Sequence, residues 1–160
     1  MKYPGKQVID GSPEVSPAPL PPMRRMLNSP FIMIGTWSVT QKFLPLLKKS
    51  GHPRIVNVSS GAGSFEDPQY GLLHGTVVQV PMGYGISKLA LNGLTVKMAK
   101  EFLPYHILVN AVCPDVTDTF GGGMWGRPVE GSAKSIIWAA LLPDDGPTGG
   151  FFRDGKKLPW

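Results

Sequence analysis

Tyr84 and Lys88 are four residues apart, a spacing that places two side chains on the same face of a helix. A cation beside a phenol favours the phenolate and lowers the pKa of a tyrosine from its usual value of about 10. Such a tyrosine can donate a proton to a carbonyl oxygen or take one from an alcohol. The same spacing also arises by chance, as a surface tyrosine beside a solvated lysine. The pair therefore identifies a site only if its surroundings supply the rest of the chemistry.

Two serines, Ser59 and Ser60, directly follow the β-branched run at residues 54–58. Such a run is typical of a buried parallel strand. A second run of this kind, Ile107–Val112, ends at Cys113-Pro114. Ligands of parallel α/β sheets bind at the carboxyl ends of the strands, so a serine placed there could hold the oxygen on which the tyrosine acts.

The elements that must position these residues alternate along the chain from Phe31 onward. Pro45 predicts a kink or an early end in the first helix. Helices are predicted at Thr36–Lys49, Tyr84–Phe102 and Ser132–Leu142, with a short strand at Phe151-Phe152 and a turn at Asp154-Gly155. Alternation of strands and helices predicts an α/β fold with a parallel sheet flanked by helices.

Composition indicates one globular domain, since the chain has 160 residues, of which 42% are hydrophobic and 17% charged. Residues 1–29 differ from the rest, because closely spaced prolines there exclude a helix or a central strand. We expect an extended or poorly ordered arm at 1–29 and a catalytic domain at 30–160.

The charge pattern and the cysteine count narrow the possible partners. The net charge of +5 is compatible with solvated lysines or with a surface that binds a phosphorylated cofactor, and the absence of long basic runs argues against nucleic acid. Cys113 is the only cysteine, which excludes an internal disulfide and favours a reducing compartment. No stretch is long enough for a membrane span, no histidine shows metal-ligand spacing, and the cytoplasm is the predicted location.

Three segments in this order resemble the classical short-chain dehydrogenase/reductase family, especially its carbonyl reductases; they are residues 55–63, 84–92 and 109–114. The resemblance extends from Gly35 to Trp160 and implies a Rossmann-type, doubly wound sheet. It implies catalytic roles for three residues: a substrate-orienting serine at Ser60 (Ser59 being the lesser candidate), an acid/base at Tyr84, and Lys88. By the same resemblance, NADP or NAD would contact Tyr84, Lys88, Pro114, Val116 and Thr119.

The sequence departs from the family pattern at several positions. Ile32 stands where the family has a proton-relay asparagine, and the nearby Asn28 is out of register. Asp115 replaces a glycine and places a negative charge beside the expected cofactor. The Gly-rich phosphate-binding turn and the N-terminal strands of the family fold are missing, which puts cofactor binding in doubt. The glycines at 121–126 fit a dinucleotide pattern without following a strand, so we interpret them as chance, and Trp125 falls in the expected substrate lid.

Two functions stay open at this stage. One is an oxidoreductase that acts on a small carbonyl or alcohol. The other is an inactive, truncated relative that serves as a folding or oligomerisation module. A homo-oligomer is expected in either case, because the strand at 54–58 would have an unpaired edge unless residues 1–29 cover it. The helix with apolar residues at every fourth position also needs cover on more than one side; these are Ile86, Ala90, Leu94, Met98 and Phe102.

Overall fold

The computed structural model describes residues 29–74, 80–119 and 126–160. The arm predicted at 1–29 lies outside this range except for its last residue, as do Asn28, Trp125 and most of the glycine pattern at 121–126. The described residues form three helices and four strands: α1 (Ser29–Leu47), β1 (Arg54–Val58), α2 (Met82–Phe102), β2 (Leu108–Val112), α3 (Val129–Ala140), β3 (Phe151–Arg153) and β4 (Lys156–Lys157).

The described strands form one sheet in the order β1-β2-β3-β4. β1 and β2 are parallel, with Arg54 opposite Leu108 and Val58 opposite Val112, and β3 continues the parallel sheet. β4 turns back antiparallel to β3 through the predicted turn. The α/β fold class and the adjacent parallel pairing of the two predicted strands are therefore confirmed. Because β1 and β2 are adjacent and parallel, their carboxyl ends lie at the same edge of the sheet, and α2 forms the connection between them.

The core forms where α1 and α2 cover the middle of the sheet. Every residue of β2 is buried, including Asn110, as a largely apolar run predicts for a central strand. Met98 and Phe102 of α2 pack with Val109 of β2, and Trp37 and Leu44 of α1 close this cluster from outside. On the side where Phe152 points, Trp138 of α3 packs against that ring in a tilted arrangement, with 5.0 Å between the ring centroids.

Helix α1 differs from its prediction at both ends. It begins at Ser29, seven residues before the predicted Thr36, and ends at Leu47 rather than Lys49. Pro45 lies in the last turn, so the predicted early end is what the chain adopts. The residues before Thr36 join the helix although they have little polar patterning, which is why periodicity placed the start too late.

The described residues of the chain bury only part of the apolar stripe of α2. Met98 and Phe102 are buried, but Ile86 is 48% exposed. The buried face consists mainly of small and polar residues, namely Gly83, Gly85, Ser87, Leu91, Asn92, Thr95, Met98, Ala99 and Phe102. Small residues lie on this face because the helix runs close to β1 and to the turn that follows it, where long side chains have no room.

One polar pair on this face joins α2 to β1. The Asn57 side-chain amide donates to the Thr95 hydroxyl at 2.8 Å, and that hydroxyl donates to the Leu91 carbonyl at 2.8 Å. Thr95 is fully buried and Asn57 nearly so. A buried amide that loses its acceptor bears the full cost of desolvation, so the pair fixes how α2 is seated on the strand.

We expect Thr95→Val to lower the free energy of unfolding by about 1–3 kcal/mol, because it leaves the Asn57 amide buried without its acceptor. Thr95→Ser is the matched control, since it removes the methyl group and keeps the hydroxyl. Urea titrations of both variants measure the difference. A Thr95→Val protein as stable as Thr95→Ser would show that the hydrogen bond does not fix the helix.

Candidate active site

The two serines that follow β1, Ser59 and Ser60, have different contacts. The Ser59 hydroxyl donates to the Asn92 side-chain oxygen at 2.5 Å and is buried. Ser60 caps the short 3₁₀ turn at Gly61–Gly63 by accepting the Ala62 N–H at 3.2 Å, and it lies at the wall of a cavity. Ser59 therefore fastens the strand end to α2, while Ser60 faces space that a ligand can enter.

Close backbone approach holds this turn against α2. A Cβ atom added at Gly63 would collide with the backbone of Lys88, so only glycine allows the contact. The Asn92 side chain completes the junction by donating to the Gly63 carbonyl at 3.0 Å. The contact places the turn that carries Ser60 beside the first turns of the helix that carries Tyr84.

Tyr84 and Lys88 both lie in the first two turns of α2. The Tyr84 side chain is 42% exposed, and the Lys88 ammonium lies 5.6 Å from the centre of its ring. Lys88 Nζ also donates to the Val58 carbonyl at the end of β1, at 2.9 Å. Burial lowers the pKa of Lys88, and the nearby Cys113 sulfur partly opposes this shift. The lysine thus places a desolvated positive charge beside the phenol.

A cavity of about 160 Å³ lies at the carboxyl ends of β1 and β2. Its walls bring together three residues predicted for the site, Ser60, Tyr84 and Val116. The complete lining is Ser60, Ala62, Tyr70, Val80, Tyr84, Cys113, Asp115 and Val116. A cavity of about 150 Å³ can hold a benzene ring, so this one accommodates a ring-sized portion of a ligand.

The loop after β2 contains the other residues predicted to contact the cofactor. Val116 reaches the cavity, whereas Pro114 and Thr119 are not part of its wall. The Pro114 carbonyl accepts the Ser132 hydroxyl of α3 at 2.9 Å, and the Thr119 N–H donates to the Thr117 carbonyl at 3.0 Å. The loop is thus fastened to α3 on one side and presents Val116 on the other. Ile32, at the expected relay position, is an α1 residue whose carbonyl accepts the Thr36 hydroxyl.

Tyr70 and Asp115 form a polar pair in the cavity wall whose contact the sequence did not predict. The Tyr70 hydroxyl donates to Asp115 Oδ1 at 2.8 Å. Burial raises the pKa of Tyr70 to about 12, helped by the hydrogen bond to Asp115. Burial also raises the pKa of Asp115, but hydrogen bonds from Tyr70 and from the Val116 N–H outweigh it, and the net pKa lies below the ordinary value. At neutral pH the pair is a phenol bound to a carboxylate.

A buried ion pair supports this wall from behind. Arg153 of β3 donates to Asp67 at 2.6 Å, and Asp67 is fully buried. The same guanidinium lies 5.1 Å from the centre of the Tyr70 ring and donates to the Cys113 sulfur at 3.4 Å. Asp67 also accepts the Tyr70 N–H at 3.0 Å. The partners lie up to 86 residues apart in sequence, so no local spacing could have revealed the cluster.

In residues 29–74, 80–119 and 126–160, no three His, Cys, Asp or Glu side chains are grouped so as to hold a metal ion. No helix in the same ranges has the length and apolar character required to cross a membrane.

Comparison with known proteins shows the ancestry of the chain. It is 32% identical to salutaridine reductase of Papaver bracteatum over 157 aligned residues, with 78% of this chain and 50% of that protein covered. It is 30% identical to the NADPH carbonyl reductase 1 of Mus musculus, with 79% of this chain and 58% of that protein covered. The chain therefore spans about half the length of the curated relatives that it matches.

Comparison with solved structures gives the same result as comparison with these sequences. The NADPH-bound carbonyl reductase from chicken fatty liver superposes with a TM-score of 0.70 at 26% identity, covering 88% of this chain and 56% of that one. The family model described as short chain dehydrogenase matches residues 32–126, which include the turn after β1, the start of α2 and the loop after β2. With fold, site and sequence in agreement, this chain belongs to the short-chain dehydrogenase family.

Proposed function

We propose that this chain is the catalytic part of an oxidoreductase that interconverts a small carbonyl compound and its alcohol with NADP or NAD. One observation carries the proposal: Ser60 and Tyr84 line a single cavity at the carboxyl ends of β1 and β2, and the Lys88 ammonium lies beside the Tyr84 ring. This is the place where a parallel α/β sheet binds its ligands. The similarity to carbonyl reductases supports the same reaction class.

In the direction of reduction, Tyr84 donates its hydroxyl proton to the substrate oxygen as negative charge develops there. The Ser60 hydroxyl donates a hydrogen bond to the same oxygen and stabilises the charge before the proton arrives. Proton transfer leaves a phenolate on Tyr84, which the positive charge of Lys88 stabilises. The Val58 carbonyl holds the ammonium in position, so the end of β1 orients two of the three catalytic groups.

The residues present fit the nicotinamide end of the cofactor. Lys88 and Tyr84 offer donors for ribose hydroxyls, and the loop from Pro114 through Val116 to Thr119 offers a wall for the ring. When bound, the nicotinamide supplies or accepts the hydride. We assign no residue of this sequence to the pyrophosphate, because a Gly-rich turn between a strand and a helix is not among its segments.

The chain offers an apolar surface for a second copy, and we propose a homo-oligomer. In the described sheet β1 is an edge strand. A stripe on α1 is exposed, with Phe31 at 70%, Val39 at 59% and Phe43 at 55%. Gly35 lies in the same stripe, and a Cβ there would meet open space, which suits close approach of another helix. The location proposed for this assembly is the cytoplasm, in keeping with the single free cysteine.

Tyr84→Phe is expected to lower kcat for carbonyl reduction about 10²- to 10⁴-fold, since the phenylalanine ring cannot donate the proton. Binding of NADPH, measured by fluorescence titration, is expected to stay within about threefold, because the change removes one hydrogen bond. Tyr105→Phe is the matched control, as Tyr105 is an exposed tyrosine whose ring also lies under a lysine, Lys48.

Full activity in Tyr84→Phe would refute the assignment of the acid/base. A wild-type chain that binds neither NADPH nor NADH would instead favour the inactive relative over the enzyme.

Lys88→Met is expected to reduce the rate of alcohol oxidation and to remove the decline of the rate at alkaline pH, because the site loses the ammonium beside Tyr84. In the wild type, burial lowers the pKa of Lys88, so the ammonium and its effect are lost at a lower pH than for a solvated lysine. Activity of the wild type should therefore decline on the alkaline side as Lys88 deprotonates. Lys97→Met, on the exposed face of the same helix, is the control. Identical pH–rate profiles for Lys88→Met and the wild type would contradict the role of the cation.

Light scattering at micromolar concentration is expected to give at least the mass of a dimer for the wild type. Phe43→Glu should shift the distribution to the monomer, because it buries a charge in the proposed interface. Lys42→Glu introduces the same charge at the next, exposed position and should leave the mass unchanged. A monodisperse wild-type monomer would refute the oligomer.

A further inference from the structure

Asp115 brings a negative charge into the candidate active site. It is the one charged side chain among the described residues that line the cavity. The other walls include Ala62, Val80 and Val116, which are apolar, and the hydroxyls of Ser60 and Tyr84 mark the catalytic side. A single carboxylate in a largely apolar cavity selects ligands strongly, because few other groups there interact with charge.

The backbone conformation and the hydrogen bonds of Asp115 fix the position of its carboxylate. Its φ angle is 64°, in the left-handed region that favours glycine. An aspartate there is tolerated at a cost of about 1 kcal/mol. Two hydrogen bonds of 2.8 Å to Oδ1 offset the strain, one from the Tyr70 hydroxyl and one from the Val116 N–H. Both donors bind Oδ1, and no hydrogen bond from the described residues reaches Oδ2.

Two guanidiniums, those of Arg153 and Arg127, lie near Asp115 and help to lower the pKa of its carboxyl, so the group is ionised. The two nearby guanidiniums are engaged elsewhere: Arg153 pairs with Asp67 at 2.6 Å, and Arg127 pairs with Asp154 at 2.7 Å. Within the described ranges, neither forms a salt bridge with Asp115. Lys88 is directed to the Val58 carbonyl at the other side of the site. The cavity therefore keeps an ionised carboxylate at the Tyr70 wall that has no salt bridge among the described residues.

We infer that the site takes carbonyl compounds that carry a protonated amine, with the ammonium bound by Asp115 and the carbonyl directed to Tyr84 and Ser60. The inference rests on the proposed function for the role of the carbonyl. The open cavity accommodates a spacer of about one ring between the two groups. The amine can form a charge-assisted hydrogen bond to this partly buried carboxylate. We therefore expect it to bind about tenfold more tightly than an uncharged analogue.

The test compares two ketones of the same shape, 4-(aminomethyl)acetophenone, which is cationic at neutral pH, and 4-ethylacetophenone, which is uncharged. NMR titration of the full chain gives the Kd of each without requiring turnover. The wild type should bind the amine about tenfold more tightly, and Asp115→Asn should bind both equally. Asp115→Gly also removes the charge and relieves the positive φ, so it is a second variant that folds if the asparagine variant does not. Asp145→Asn, on an exposed turn at the opposite edge of the sheet, makes the same change in net charge and should keep the preference.

Each outcome decides one of the two proposals. Equal binding of both ketones by the wild type, no binding of the amine, or a preference that survives Asp115→Asn and Asp115→Gly would overturn the inference. Reduction of 4-ethylacetophenone with NADPH is followed separately. If neither ketone is reduced while the Asp115-dependent preference persists, the proposed function fails and the cation site stands.

Discussion

The contact between the turn after β1 and the helix α2 is the constraint on which the site depends. Gly63 lets the turn touch the backbone of Lys88, and a side chain at that position would push the two apart. The separation between the Ser60 hydroxyl and the Tyr84 phenol follows from this approach, since each residue lies within a few positions of the contact. Catalysis tolerates little error in such distances, because a misplacement of about 1 Å can cost two orders of magnitude in rate.

Buried hydrogen bonds fix how the turn after β1 is aligned with α2. The Asn92 side chain accepts from Ser59 and donates to the Gly63 carbonyl, so a single amide ties the strand end and the turn to the helix. Asn57 and Thr95 repeat the pattern further along β1. An apolar interface in the same place would let the helix slide or rotate with little penalty, whereas displaced amides would be left buried and unpaired. The polar face of α2 is therefore what aligns Tyr84 and Lys88 with the sheet.

Sequence patterns predicted the parts of the fold that depend on local order. The β-branched runs identified β1 and β2, and the four-residue spacing of Tyr84 and Lys88 was enough to place them on one helical face. Periodicity did not identify the polar part of the buried face of α2, because it cannot detect a partner such as Asn57 on another element. The pair of Tyr70 and Asp115 was missed for a related reason, since its members are 45 residues apart and meet only after the sheet forms.

The cavity wall that carries Tyr70 belongs to a loop. Hydrogen bonds and an ion pair nevertheless hold it as firmly as the side that carries Ser60 and Tyr84. The Ser64 hydroxyl accepts two backbone N–H groups and donates to the Pro159 carbonyl, which anchors the loop to the end of the chain. Asp67 then accepts the Tyr70 N–H while it pairs with Arg153 of β3. Each link is buried or nearly so, and removing one partner would leave the other uncompensated. Tyr70, Asp67 and Arg153 also lie directly against Gly61, the residue after Ser60, so this wall and the turn that carries Ser60 are packed together.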